Sequence, residues 1–244
     1  MAIGPQQQRV FGTSRTVDQV QIDEGLRSYM LRVYNYMASG LALTGIVAYV
    51  TAGIPELFAT IHGTPLKWVI MLAPLGFVFL FAAKVHSMRA STAQALFWVF
   101  AVLMGLSLSW IFIAFTGTSI ARVFFITAGT FAAMSLYGYT TKRDLTKMGS
   151  FLIMGLIGII IAAIVNIFLA SSALAFAISV IGVLVFVGLT AYDTQRVKEA
   201  YLESDDGETM SKKAIFGALT LYLDFINLFI MLLQLFGVRT GSNE

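Results

Sequence analysis

Seven apolar runs, each close to the roughly 20 residues that a helix needs to cross a bilayer, alternate with short polar connections along this chain. They cover Val33 to Ala52, Trp68 to Val85, Ala93 to Thr116, Val123 to Thr141, Phe151 to Ala170, Leu174 to Asp193 and Ala214 to Phe236. The pattern predicts an all-α integral membrane protein with seven transmembrane helices packed as one bundle over residues 33–237. A polar segment, 1–32, precedes it and reads as a mobile tail, and residues 238–244 form a short C-terminal tail. The tail contains no short apolar core ahead of a small-residue cleavage site, so it does not read as a signal peptide. Pro74 would kink the second span, and the connection from Gly53 to Lys67 is expected to be a loop.

Composition agrees with lipid as the solvent: 58% of the 244 residues are hydrophobic and 12% charged, about half the charged fraction of a soluble domain. The net charge of +3 does not point to nucleic acid, because the basic residues are scattered in clusters between apolar runs. Their distribution gives an orientation instead. Of the 16 Lys and Arg residues, all but Lys67, Arg122 and Arg239 fall on one side of the seven spans. Cytoplasmic loops carry the excess, so the N-terminus is expected in the cytoplasm. With no cysteine, disulfides, thiolate metal sites and cysteine nucleophiles are excluded.

Ionisable groups inside spans carry the most information, since an Asp at the centre of a membrane helix costs about 2.5 to 3.5 kcal/mol. Asp224 lies midway along the seventh run. Thr220, Asp224, Asn227, Met231 and Gln234 recur at intervals of four and three, which places four polar side chains on one helical stripe. That stripe must face protein or water, and a structural hydrogen-bond seam would satisfy it as well as a functional site would. Asp193 ends the sixth run beside Arg196 and Lys198, where a carboxylate is ordinarily a solvated interfacial charge. The sixth and seventh helices are consecutive, however, and consecutive helices are usually neighbours. Asp193 can then meet Asp224 if the sixth helix continues inward or the seventh begins deep. Two close carboxylates do not readily carry two charges, so such a pair would respond to pH.

Three chemistries use paired intramembrane acids or seven helices. An aspartyl protease would need Gly-x-Gly-Asp in the second acidic helix, whereas Asp224 sits in Leu221-Tyr222-Leu223-Asp224. A retinal protein would need a lysine in the last span, which has none. An ion pathway fits better: two carboxylates with Asn227 and nearby hydroxyls or waters would make a weak, partly hydrated calcium site, and weak binding suits passage. No enzymatic constellation and no cofactor are expected. Lys84 or Arg89, at the end of the second span, could latch the charged pair, although both also serve as positive-inside residues. The acidic stretch from Glu203 to Glu208 lacks the ligand spacing of an EF-hand, and His62 and His86 form no metal-ligand pattern. Trp68, Trp98 and Trp110 read as interface anchors or packing groups.

The motifs Arg32-Val33-Tyr34-Asn35-Tyr36-Met37, Thr141-Lys142-Arg143-Asp144-Leu145, Ala191-Tyr192-Asp193-Thr194-Gln195 and Leu221-Tyr222-Leu223-Asp224-Phe225-Ile226-Asn227-Leu228-Phe229 resemble those of bacterial members of the transmembrane Bax inhibitor motif family. The resemblance runs almost end to end. It implies a seven-helix fold whose last helix is central, in a bacterial inner membrane. It also implies that Asp193 and Asp224 form a pH-sensitive pair controlling a calcium leak, with Tyr192, Thr220, Asn227, Lys84 and Arg89 as candidate supporting residues. Some bacterial relatives are instead associated with a membrane-bound AAA protease through their N-terminal tail, which would give Met1 to Arg27 a binding role. The expected partners are therefore the lipid bilayer, calcium or protons, and such a protease.

Overall fold

In the computed structural model the described residues are 5–85 and 87–241, with side chains described from residue 24 on. They form α1 (Pro5–Gly53), α2 (Pro55–His62), α3 (Leu66–Lys84), α4 (Ala90–Leu108), α5 (Ile111–Ala114), α6 (Gly117–Thr140), α7 (Thr146–Leu169), α8 (Ser172–Glu199) and α9 (Gly207–Phe236). Seven segments are long and apolar enough to cross a membrane: 24–53 of α1, α3, α4 with α5, α6, α7, α8 and α9. The protein is a multi-pass, all-helical membrane protein.

Four elements depart from the sequence-based expectation. The segment expected as a tail is helical from Pro5. Its inner part belongs to the bundle, because Tyr29 and Met30 are buried ahead of the apolar run that begins at Val33. The expected loop after α1 contains α2, which Pro55 at its first position and Glu56 in its first turn favour. The charged stretch from Thr194 to Lys213 is mostly helix rather than loop. Residues such as Arg196, Lys198 and Glu199 are good helix formers without being apolar, so α8 runs six residues past Asp193. Asp206 caps α9 by accepting a hydrogen bond from the Thr209 amide at 2.6 Å, so that helix starts seven residues before Ala214. Only residues 200–206 connect the two.

The last helix, α9, is the centre. Of its apolar window 67% is enclosed by protein, against 11% for α7. It packs on α1, α4, α6 and α8. Tyr222, wholly buried, donates to Thr44 Oγ1 at 2.6 Å, and Thr44 in turn donates to the Ala101 carbonyl at 2.8 Å, which ties α9 to α1 and α4. The end of α9 is held too: Val238 and Thr240 bond the turn between α5 and α6 through Thr116 and Ala114. At Gly138 of α6 an added Cβ would run into the backbone of Ala191. The missing side chain lets α6 and α8 touch two residues from Asp193, the small-residue packing that brings membrane helices close.

Candidate functional site: a buried pair of aspartates

The polar stripe of α9 faces α8. Thr220 lines a cavity shared with Asp193, Asp224 meets Asp193, Met231 covers Gly182, and Gln234 accepts a hydrogen bond from Ser179 at 2.8 Å. Asn227 donates to the Leu223 carbonyl of its own helix, also at 2.8 Å. α8 and α9 extend beyond their apolar runs, and Asp193 is buried within α8 rather than a solvated charge at a helix end.

The Asp193 and Asp224 carboxyl groups are adjacent. Two adjacent buried carboxyl groups do not readily carry two charges. Both residues are buried, at 8% and 5% exposure. Asp193 Oδ1 also lies 3.8 Å from Arg196 Nη1, one turn on, at the limit of an ion pair; the Arg196 side chain is largely exposed and stacks over the Tyr192 ring. No amide, hydroxyl or cation among the described residues hydrogen-bonds Asp224 Oδ2.

The surroundings make that isolation informative. Gln195 accepts from the Leu145 amide at 2.9 Å and donates to the Arg143 carbonyl at 2.8 Å, pinning the loop before α7. Thr194 donates to Thr190, Ser135 to Thr194 and Tyr34 to Ser135, in a chain linking α1, α6 and α8 at 2.7 to 3.0 Å. Lys198 donates to the Tyr139 carbonyl at 2.7 Å. The buried polar groups of a structural seam are satisfied in this way. Among the described residues, Asp224 Oδ2 and the Tyr29 hydroxyl are the buried side-chain polar atoms left without such a partner.

A cavity of about 470 Å³ reaches Asp193 from the end of the bundle, between α1, α8 and α9; Arg196, Lys212, Lys213 and Thr220 are among the residues that line it. Lys213 is paired with Asp205 at 2.6 Å. Asp224 lies behind Asp193 and does not line the cavity. Of the proposed supporting residues, Thr220 is at the cavity wall, whereas Tyr192 faces Gly149 of α7. Lys84 and Arg89 are exposed to either side of Val85, which does line the cavity. The cation nearest the pair is instead Arg196, for which the signal in the sequence is its spacing three residues from Asp193 on one helix. His62 bonds Ser109 at 2.8 Å, and His86 lies outside the described residues. Among those residues no group of three or more acidic or histidine side chains is assembled to hold a metal. Most of the tail expected to bind a protease, Met1 to Arg27, lies outside the described side chains.

Comparison with known proteins gives this geometry its relatives. The family model described as inhibitor of apoptosis-promoting Bax1 matches residues 26–241. The chain belongs to the Bax inhibitor family. It is similar to the inner membrane protein YbhL of Escherichia coli K12, 47% identical over 223 residues that cover 90% of this chain and 95% of YbhL. It is also similar to protein RP147 of Rickettsia prowazekii, 54% identical over 217 residues, 89% of this chain and 92% of that one. The Bax inhibitor match thus includes all seven apolar runs and both aspartates.

Proposed function

We propose that this Bax inhibitor family protein is a passive, pH-sensitive cation leak pathway, with calcium as the candidate ion, in which Asp193 and Asp224 bind the ion and hold the gate. The observation that carries this reading is the buried acid pair whose inner member, Asp224, has a carboxyl oxygen, Oδ2, that no described residue hydrogen-bonds. An uncompensated charge there would be expensive. The pair must therefore hold a proton or receive a cation, and exchange of one for the other couples ion occupancy to pH. Asp193 stands at the inner end of a cavity open to one side of the bundle, which supplies an approach for a hydrated ion. The excess of Lys and Arg assigns that side to the cytoplasm, and similarity to YbhL supports a bacterial inner membrane.

The test is calcium flux into proteoliposomes measured across pH. The wild type should conduct, with flux that changes with pH. Asp224→Asn, which cannot ionise, should reduce the flux and remove its pH dependence. Unchanged flux and pH profile in that variant would refute the assignment.

A further inference from the structure

A second cavity, unconnected with the acids' chemistry, lies on the flank of the bundle. α1 packs on α4 and α9, and α6 packs on α8 and α9, so both flank α9 without packing face to face. Between them a groove of about 1060 Å³ is floored by Phe225 of α9 and bridged at one level by the hydrogen bond from Tyr34 to Ser135. Its walls are mainly apolar, with the small residues Ala42 and Gly45 on α1 and Ala128 on α6 among larger alkyl and aromatic side chains. From Arg27 to Ile46 it follows 19 residues of α1, about 29 Å at 1.5 Å each. An apolar groove of this length along two membrane-spanning helices takes an alkyl chain.

Charge identifies the head of the occupant. Arg27 lies at one end of the groove, exposed, and forms no ion pair among the described residues. Tyr139 stands at the same end, with the Lys198 ammonium 5.3 Å from its ring. Beyond that end the hydroxyls of Tyr34 and Ser135 are bonded to each other, so the rest of the groove offers alkyl and aromatic surface. Basic residues at the membrane surface favour anionic headgroups. The geometry points to a binding site for an anionic glycerophospholipid, its phosphate at Arg27 and an acyl chain laid along α1 and α6. A lipid here would rest against Tyr34 and Ser135, whose hydrogen-bond chain passes through Thr194 beside Asp193.

The site can be tested with the purified full-length protein in mild detergent, by counting lipids retained in native mass spectra after incubation with phosphatidylglycerol or phosphatidylcholine. The wild type should retain one phosphatidylglycerol in preference to phosphatidylcholine by about fivefold, the discrimination expected of one basic residue near an anionic headgroup. Arg27→Gln should erase that preference while leaving the acyl site. Ala42→Trp should abolish retention by filling the groove, with Ala128→Phe on the opposite wall as a second variant should the first fail to fold. Phe168→Trp, on the outward face of α7, should retain lipid as the wild type does. The proposal is overturned by equal retention of both lipids in the wild type, by full retention when the groove is filled, by equal loss in the α7 control, or by a second copy of the chain in place of lipid.

Discussion

Helices α7 and α9 are both apolar enough to cross a membrane, yet they occupy opposite environments. α7 presents Phe168 and Ile167 to the surroundings at 84% and 77% exposure, whereas α9 buries Leu221, Tyr222 and Leu228 completely. Mean apolarity therefore detects a span without ranking its depth in the bundle. The ranking comes from the less apolar positions: α7 has one polar residue, Asn166, in its outer half, while α9 carries Thr220, Asp224, Asn227 and Gln234 on one stripe. Lipid cannot satisfy such groups, so the helix that bears them is drawn to the centre.

The contrast can be broken by truncation. Leu228→Ala in α9 should lower stability by about 2 to 5 kcal/mol, because the cavity it leaves cannot be filled. Ile161→Ala in α7, where the side chain is 57% exposed, should change it by under about 0.5 kcal/mol. Thermal unfolding in one detergent compares the two, and equal losses would place both helices in the same environment. Gly138→Leu sharpens the comparison at the acids: forcing a side chain between α6 and α8 should cost about 1 to 3 kcal/mol. It should also alter the pH response of flux, since the backbone displaced is that of Ala191.

A smaller effect concerns the extended end of α9 outside the membrane. The bonds from Thr209, backbone amide first, hold the exposed Asp206 carboxyl below its usual range. A depressed folded value contributes stability that is present above the unfolded value and is lost as pH falls through the folded one. Hydrogen exchange at Thr209 should therefore become less protected as the solution is acidified below about pH 3.9, and Asp206→Ala should be equally unprotected on both sides of that range.

Much of this fold is legible in the sequence because lipid imposes a simple rule, so the seven runs, Asp224 and its stripe can be read from residue types alone. What could not be read is helix without apolarity. Arg196 to Glu199 and Gly207 to Lys213 extend α8 and α9 beyond the spans, and that extension decides whether Asp193 is a surface charge or half of a buried pair. Pairing also depends on where the backbone comes close, as at Gly138, and a glycine's neighbours across the bundle leave no local trace. The groove between α1 and α6 is an arrangement of unpacked faces, which no run of residues reveals.

The central claim is that a proton and a cation compete for one buried acid pair. It is tested most directly by the protons released when calcium is added to the purified protein in weakly buffered solution near neutral pH. Carboxylates must be deprotonated to bind a metal ion, so the wild type should release protons on binding calcium, with affinity falling as pH is lowered, and Asp224→Asn should release none. Calcium binding without proton release, or identical release from Asp224→Asn, would contradict the account.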